Sequence, residues 1–509
     1  MGVNFTDEQK KVIQLRDRNI LVSAAAGSGK TAVLVERIIT RLTKDNPMLN
    51  VDELLVLTYT DAAASEMKER VLGAIEKALE EEPENVHLQQ QATLIYQAQI
   101  TTIHKFCMSV IRDYFHTIDL DPSFRVGEEG ELKLLKKDVV EEVLEKAYQE
   151  GSAEFTNFVE SFVSGKNDRE LEKLILQLYE LSKSYPNPRK WLNACVEQYD
   201  IKNAEELEEK AYIQEVLEDT RQCLMDILEL LDYAINLCRE EDGPAVYEDT
   251  IAYDCKQVKT LLKAGSFAEM QELLRNADWN DLTSCKDKSV SKKKIKQVSD
   301  VHDKYKKFVK GTLSQYFFDD IEVMLKEMQN SGKNVRVLID LVIRFSDLYS
   351  EEKKKKNMID FDDMEQYALQ ILTREEDGKL VPSAVAESYQ EKFAEVMIDE
   401  YQDSNLVQET ILTSVSKASR GIYNIFMVGD VKQSIYRFRM SRPELFMEKY
   451  HTYNVDDSEK QRIDLHKNFR SRREVLESTN FIFEQIMMSE FGGIEYDETV
   501  ALYVGADYD

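Results

Sequence analysis

Ala24-Ala25-Ala26-Gly27-Ser28-Gly29-Lys30-Thr31 follows the short apolar run Ile20-Leu21-Val22 and precedes the helix-forming Ala32-Val33-Leu34-Val35-Glu36. A glycine-rich turn between a buried strand and a helix lets backbone N–H groups close around phosphate oxygens, while a lysine reaches the outer phosphates and a hydroxyl ligates Mg²⁺. The stretch fits the pattern GxxxxGK[ST] except that Ala24 stands for the first glycine. Ala24 to Thr31 are therefore the candidate nucleotide cradle, with Thr31 as a metal ligand and a nucleotide with Mg²⁺ as the implied cofactors. A second apolar run, Val396-Met397-Ile398, ends in Asp399-Glu400-Tyr401-Gln402-Asp403. Paired acids at the end of a buried strand are costly unless a metal or cation compensates them. Asp399 is the expected Mg²⁺ ligand and Glu400 the base that orients an attacking water. Both runs read as buried parallel strands that deliver residues to one sheet edge, so the long chain between them is an excursion that returns.

The texture of that excursion sets the domain organisation. From Asn19 to about Asp121, strand-like runs such as Leu54 to Tyr59 alternate with helical ones such as Ala62 to Leu79, the signature of βαβ units. From about Glu128 to Lys354, Leu/Glu/Lys-rich stretches with apolar residues three and four apart replace the strands. After Asp360 the α/β texture returns, with strands at Val396-Met397-Ile398 and Ile422 to Val428. The expected fold is α/β, a parallel sheet with a large inserted all-helical domain. Its boundaries are 1–121 and 355–450 for the α/β domain, 122–354 for the insertion and 451–509 for the opening of a second α/β domain. The Lys292 region reads as an exposed loop within the insertion.

At 509 residues the chain has room for two or more domains. Six cysteines without a CxxC pair indicate neither a zinc site nor a disulfide framework. The N-terminus lacks a basic start with an apolar core, and no run of about 18 apolar residues occurs, so a cytoplasmic location without membrane contact is expected. The net charge of -29 weighs against nucleic acid, yet binding requires only a locally basic groove. Lys292-Lys293-Lys294 and Lys353-Lys354-Lys355-Lys356 are candidates for one, although a solvated face explains either run alone.

Three further stretches carry chemistry. Gly429-Asp430-Val431-Lys432-Gln433-Ser434-Ile435-Tyr436-Arg437-Phe438-Arg439 again follows a strand. Gln433 could sense a γ-phosphate, and Tyr436, Phe438 and the interleaved arginines, Arg439 among them, suit base stacking and backbone neutralisation. Taken alone, the same alternation reads as one strand with a buried and an exposed face. Asn468-Phe469-Arg470-Ser471 offers Arg470 to stabilise transition-state charge and Phe469 to stack on adenine. Phe5-Thr6-Asp7-Glu8-Gln9 offers the Gln9 amide to both edges of adenine, or equally a helix cap with Thr6 as N-cap.

The order of these stretches resembles the superfamily 1 DNA helicases of the UvrD/RecB type. Between the cradle and the acids come Leu57-Thr58-Tyr59-Thr60-Asp61-Ala62-Ala63-Ala64-Ser65-Glu66-Met67, Thr101-Thr102-Ile103-His104-Lys105-Phe106-Cys107 and Asp360-Phe361-Asp362-Asp363-Met364. Within that superfamily Asn19 to Ser23, Leu120 to Val126 and Phe426 to Ser434 look like the AddAB-type helicase–nucleases. Asp61 stands where an asparagine is usual, and Phe438 where tryptophan is frequent. The resemblance implies a RecA-like P-loop domain split by the helical insertion and an ATP cleft completed by a second RecA-like domain. It also implies a single-stranded DNA track over Thr58, Thr60, Asp61, Thr102, His104, Tyr436, Phe438 and Arg439. By the same resemblance Lys30, Asp399, Glu400, Gln433 and Arg470 serve catalysis, and Gln9 and Phe469 hold the nucleotide. The implied activity is 3′→5′ unwinding at double-strand DNA ends for recombinational repair, in a heterodimer with an AddB-like partner. The chain ends at Asp509 ahead of the later helicase motifs and of any nuclease domain, so it reads as an N-terminal piece with weak ATP hydrolysis and no unwinding. A UvrD-type repair helicase without nuclease, or a DNA-binding scaffold that does not hydrolyse ATP, are the alternatives.

Overall fold

The computed structural model describes residues 5–162, 168–488 and 494–506; residues 1–4, scanned above for a leader, lie outside the described residues. Six parallel strands form one sheet in the order Lys460–Leu465, Asn19–Ala24, Ile425–Gly429, Glu395–Ile398, Leu54–Thr58, Gln99–Thr102. Four of its strands are apolar almost without interruption because helices cover both faces. Leu54, Leu55, Val56 and Leu57 are all buried, and the two-residue period of a strand sends them to different cores. Leu55 and Leu57 join Leu21, Ile398 and Met427 on one face, and Leu54 and Val56 join Val22, Met397 and Val428 on the other. The helices Lys30–Thr43 and Asp61–Glu81 cover the second face through Leu34, Ile38, Met67 and Val71. Ile103–Tyr114, Phe361–Leu372 and Leu406–Val415 cover the first through Phe106, Val110, Leu369 and Ile411. Residues 451–509, read from sequence as the opening of another domain, contribute Lys460–Leu465 to the edge of this same sheet, in register with 19–24.

The chain divides into two compact units, residues 1–146, 167–191 and 341–509 in one, and 147–166 and 192–340 in the other. Helices supply all the described regular structure of the second unit. Leu217, Leu224 and Leu231 recur every seven residues along Ala211–Arg239 and share a core with Ile251, Val258, Met270, Val298 and Tyr305. Phe267 stacks on Phe317 there with ring centroids 4.3 Å apart. The Lys292 run, expected in a loop, instead begins the helix Lys292–Gln315. Lys294 is held there by Glu240 and Asp242, which offset the cost of basic side chains at a helix N-terminus.

The second lysine run departs from a solvated groove at its first residue. Lys353, in the last turn of the helix Ile321–Lys355, is 2% exposed. Its ammonium donates to Asp360 at 2.8 Å and Asp363 at 2.5 Å and lies 4.3 Å from the Tyr349 ring centroid. Burial works against this charge, but Asp363 and Asp360 hold the Lys353 pKa above its ordinary value. Two carboxylates share one cation, and Asp362 adds a third acid on the same turn. Burial, then the Asp360 charge, push the Asp362 carboxyl up to about 6. A carboxyl raised on folding stabilises the fold only while protonated, so its contribution is present below the unfolded pKa and is lost as pH rises through about 6. Asp362→Asn is therefore expected to raise the thermal midpoint at pH 8, removing a cost of about 1 to 3 kcal/mol, and to change little at about pH 3, below the unfolded pKa. Thermal unfolding of parent and variant at both pH values checks the sign.

Candidate active site

In parallel α/β sheets, ligands bind beyond the carboxyl ends of the strands. Asn19–Ala24 ends there in the glycine-rich loop, Glu395–Ile398 in Asp399-Glu400 and Ile425–Gly429 in Asp430. In the loop Gly27 has φ +71° and Gly29 has φ +84°, a region that L side chains rarely enter. A Cβ on Gly27 would stand 2.7 Å from the Asn468 amide. The helix Lys30–Thr43 starts directly after Gly29, with its unpaired N–H groups and positive dipole end at the cradle. The Ser28 hydroxyl is buried without a hydrogen-bond partner.

Lys30 Nζ donates to Glu400 Oε2 at 3.1 Å and to Gln433 Oε1 at 3.2 Å. Three segments far apart in sequence therefore meet on one ammonium. Burial, and then the Glu400 charge, push the Asp399 carboxyl up to about 6, with Lys30 opposing. Burial and Glu400 raise Asp403 to about 6 as well, and its Oδ1 is buried without a partner. Asp399 and Asp403 are thus held above the ordinary carboxylate range with one lysine nearby, which is the electrostatic fit for a dication. Among the described residues no cluster of three or more His, Cys, Asp or Glu side chains could enclose a metal. This donor set suits Mg²⁺, which takes one or two protein oxygens together with substrate phosphates and water. Glu400 itself has φ +52°, a strained conformation for a residue with a side chain, of the kind that concentrates at functional sites.

Arg37 ties the helix after the cradle to the strand that carries the acids. It is 1% exposed, its Nε donates to Glu395 Oε1 at 3.0 Å, and its guanidinium carbon lies 4.6 Å from the Phe426 ring centroid. Asn468 latches the loop from the other side. Its Nδ2 donates to Ala26 O at 2.7 Å, its Oδ1 accepts the N–H groups of Arg470 and Ser471 at 2.8 Å each, and Phe469 N donates to Gly27 O at 2.9 Å. The Arg470 side chain is exposed. Beside this latch a cavity of about 760 Å³ is lined by Gln9, Ser28, His466, Lys467, Phe469 and Tyr503, among others. Gln9 serves as cap and cradle contact together: its Oε1 accepts Thr6 N at 2.9 Å, and its Nε2 donates to Ser28 O at 2.9 Å. A second amide hydrogen remains for a base.

The residues expected on a DNA track gather around the neighbouring strand ends. Thr58 Oγ1 donates to Thr60 O at 3.0 Å, and Thr60 caps the helix Asp61–Glu81. Thr102 Oγ1 donates to Asp61 at 3.4 Å, and Asp61 pairs with Lys105 at 3.0 Å. His104 lies 3.3 Å from Glu365 and edge-on to the exposed Phe361. The 434–440 segment is a loop with a short 3-10 turn and no strand. Tyr436 packs against Tyr59 at 4.8 Å, and Arg439 donates to the Tyr59 hydroxyl at 3.2 Å with its guanidinium over the Tyr436 and Phe438 rings. Phe438 is 73% exposed. Tyr59, quoted in sequence but given no role there, completes this platform. Gln402, Asp430 and Asn468 were likewise passed over; the signal for each was its place inside a stretch already singled out.

A glycine-rich loop and a strand-end acid, Glu400, meet on one lysine, an arrangement that can hold nucleotide phosphates. Residues 5–454 match the profile of the UvrD/REP helicase N-terminal domain, and the chain belongs to that family. Among curated proteins it is similar to a subunit of the ATP-dependent helicase/nuclease of Lachnoclostridium phytofermentans, 47% identical over 99% of this chain and 37% of that protein. It is also similar to the proteins of the same name from Clostridium beijerinckii, 42% identical over 100% of this chain and 41% of that protein, and Bacillus pumilus, 41% identical over 99% and 41%. The chain thus spans about two fifths of the length of the curated relatives it matches. None of its described helices is long and apolar enough to cross a membrane.

Proposed function

We propose that the chain is the ATP-hydrolysing and DNA-tracking part of a 3′→5′ DNA helicase that acts at double-strand ends in recombinational repair. In this reading the first unit is a RecA-like P-loop domain, the second an inserted helical domain, and the nuclease belongs to a part of the whole protein that this chain does not include. The single observation that carries it is the convergence of Lys30, Glu400 and Gln433, hydrogen-bonded from three strand ends of one sheet. Lys30 would bind the outer phosphates, Glu400 would take the proton of the attacking water, and Gln433 would report the nucleotide to the Tyr436–Arg439 platform a few residues on. Thr31 and Asp399 would hold Mg²⁺, which when bound neutralises phosphate charge as it develops. Arg470 would approach the same phosphates, and Gln9 and Phe469 would frame the base. An AddB-like partner protein and a cytoplasmic setting complete the proposal.

Hydrolysis of ATP by the chain, with and without single-stranded DNA, tests it. DNA-stimulated hydrolysis that falls at least about 100-fold in Lys30→Ala supports the enzyme. DNA binding without hydrolysis in the parent would mark a scaffold instead.

A further inference from the structure

The hydrogen bonds around Glu400 close into a ring of five residues. Lys30 Nζ donates to Glu400 Oε2 at 3.1 Å and to Gln433 Oε1 at 3.2 Å. Gln433 Nε2 donates to Asp430 Oδ2 at 2.8 Å, and Asp430 N donates to Gln402 Oε1 at 3.0 Å. Gln402 Nε2 returns to Glu400 Oε2 at 2.8 Å. Gln402 is 1% exposed, so its amide has no water with which to exchange these partners. Its orientation is also unique: turned over, it would set its oxygen against the Glu400 carboxylate and its NH₂ against the Asp430 N–H. Gly429 leaves room for it, because a Cβ there would stand 2.4 Å from Gln402 Oε1.

We propose that Gln402 is the positioning residue that holds the Glu400 carboxylate for proton abstraction and couples it to the Asp430–Gln433 turn. The proposal rests on the ATP-hydrolysis reading of this site. In the ring Glu400 Oε2 has two donors, Lys30 and Gln402. A nucleotide phosphate competes for Lys30, since a lysine in a glycine cradle turns to the β- and γ-phosphates. Gln402 is then the donor that stays. Glu400 gains no direction from regular structure, because it sits at φ +52° between a strand and a short turn. The buried amide therefore fixes the carboxylate in the loaded state. The same amide accepts from the first residue after the neighbouring strand, so a shift of that turn reaches Glu400 through one side chain.

Single-turnover hydrolysis of ATP by the 509-residue chain with saturating single-stranded DNA, alongside binding of a fluorescent ATP analogue and thermal unfolding, tests this. Gln402→Met and Gln402→Leu remove the contacts to Glu400 and Asp430 N together with the longer one from Gln402 Nε2 to Asp403 Oδ2 at 3.4 Å. Gly429→Ala displaces the amide without touching its chemistry. All three are expected to lower the rate constant about 10- to 100-fold with analogue affinity within about threefold of the parent. A merely structural role would lower the thermal midpoint or the affinity and leave the rate constant of bound nucleotide intact. Folded Gln402→Met and Gln402→Leu chains that hydrolyse within about twofold of the parent overturn the proposal alone. A parent that binds the analogue and never hydrolyses ATP overturns the hydrolysis reading, and this proposal with it.

Discussion

Glu400→Gln is expected to reduce the single-turnover rate of ATP hydrolysis by about 10²- to 10⁴-fold, the range for loss of a general base, while nucleotide affinity stays within a few-fold. The substitution keeps the shape of the side chain and an oxygen for Lys30 and Gln402 to donate to. What it removes is the negative charge that accepts a proton. Affinity should survive because the cradle is built from the glycine loop and Lys30, and because the loss of one of three carboxylates relieves the repulsion that helps push Asp399 up to about 6. Rapid-quench measurement of hydrolysis beside equilibrium binding of a fluorescent ATP analogue separates the two effects. An unchanged rate would remove Glu400 from the chemistry; a collapse of affinity would recast it as a binding residue.

The largest effect on stability is expected from Lys353→Met. It leaves Asp360 and Asp363 buried without their cation, and breaking a buried ion pair by removing one partner costs about 3 to 5 kcal/mol. These acids also cap the helix Phe361–Leu372 reciprocally, Asp363 N donating to Asp360 at 2.8 Å and Asp360 N to Asp363 at 3.1 Å. In the parent, burial raises the Asp360 pKa and Lys353 more than offsets it, leaving that carboxyl below its usual range. Its stabilising contribution is thus present above the unfolded pKa and is lost as pH falls through the folded one. Without Lys353 burial outweighs what remains, the Asp363 N–H and the Lys183 charge, and the sign reverses: ionised carboxylates destabilise, and acid relieves them. The deficit of Lys353→Met in thermal unfolding should therefore be larger at pH 8 than at pH 5. Adding Asp360→Asn and Asp363→Asn should recover most of the deficit at pH 8. A uniform deficit at both pH values would mean that lost packing on Tyr349, rather than charge, is responsible.

The α/β layering was legible because buried parallel strands are continuous apolar runs, and Leu54 to Leu57 and Val396 to Ile398 stand out from their polar surroundings. The site was legible where backbone chemistry demands particular residues, as at Gly27, Gly29 and Lys30. Lys353 was misread because a run of lysines looks alike whether or not one of them meets two aspartates seven and ten residues on. The Lys292 run was misread as a loop because lysines at the start of a helix oppose its dipole, and the acids that compensate, Glu240 and Asp242, lie some fifty residues upstream. Tyr436 to Arg439 left two readings open, since strand alternation and an aromatic platform with arginine share one composition. Gln402 could not be assigned from sequence at all: its importance lies in Asp430 and Gly429, which only the sheet order brings beside it.

That sheet order bears on how the chain is made. The strand Asn19–Ala24 pairs with Ile425–Gly429 and Lys460–Leu465 and with no strand near it in sequence. Leu54–Thr58 finds only Gln99–Thr102 nearby, and its other partner is Glu395–Ile398. On a ribosome adding about 5 to 20 residues per second, the first strand therefore waits tens of seconds with both edges unpaired. The chain closes loops of several hundred residues before the sheet, and with it the nucleotide cradle, can exist. A nascent chain that stops short of residue 425 holds the glycine loop in sequence but has no neighbouring strand to brace it.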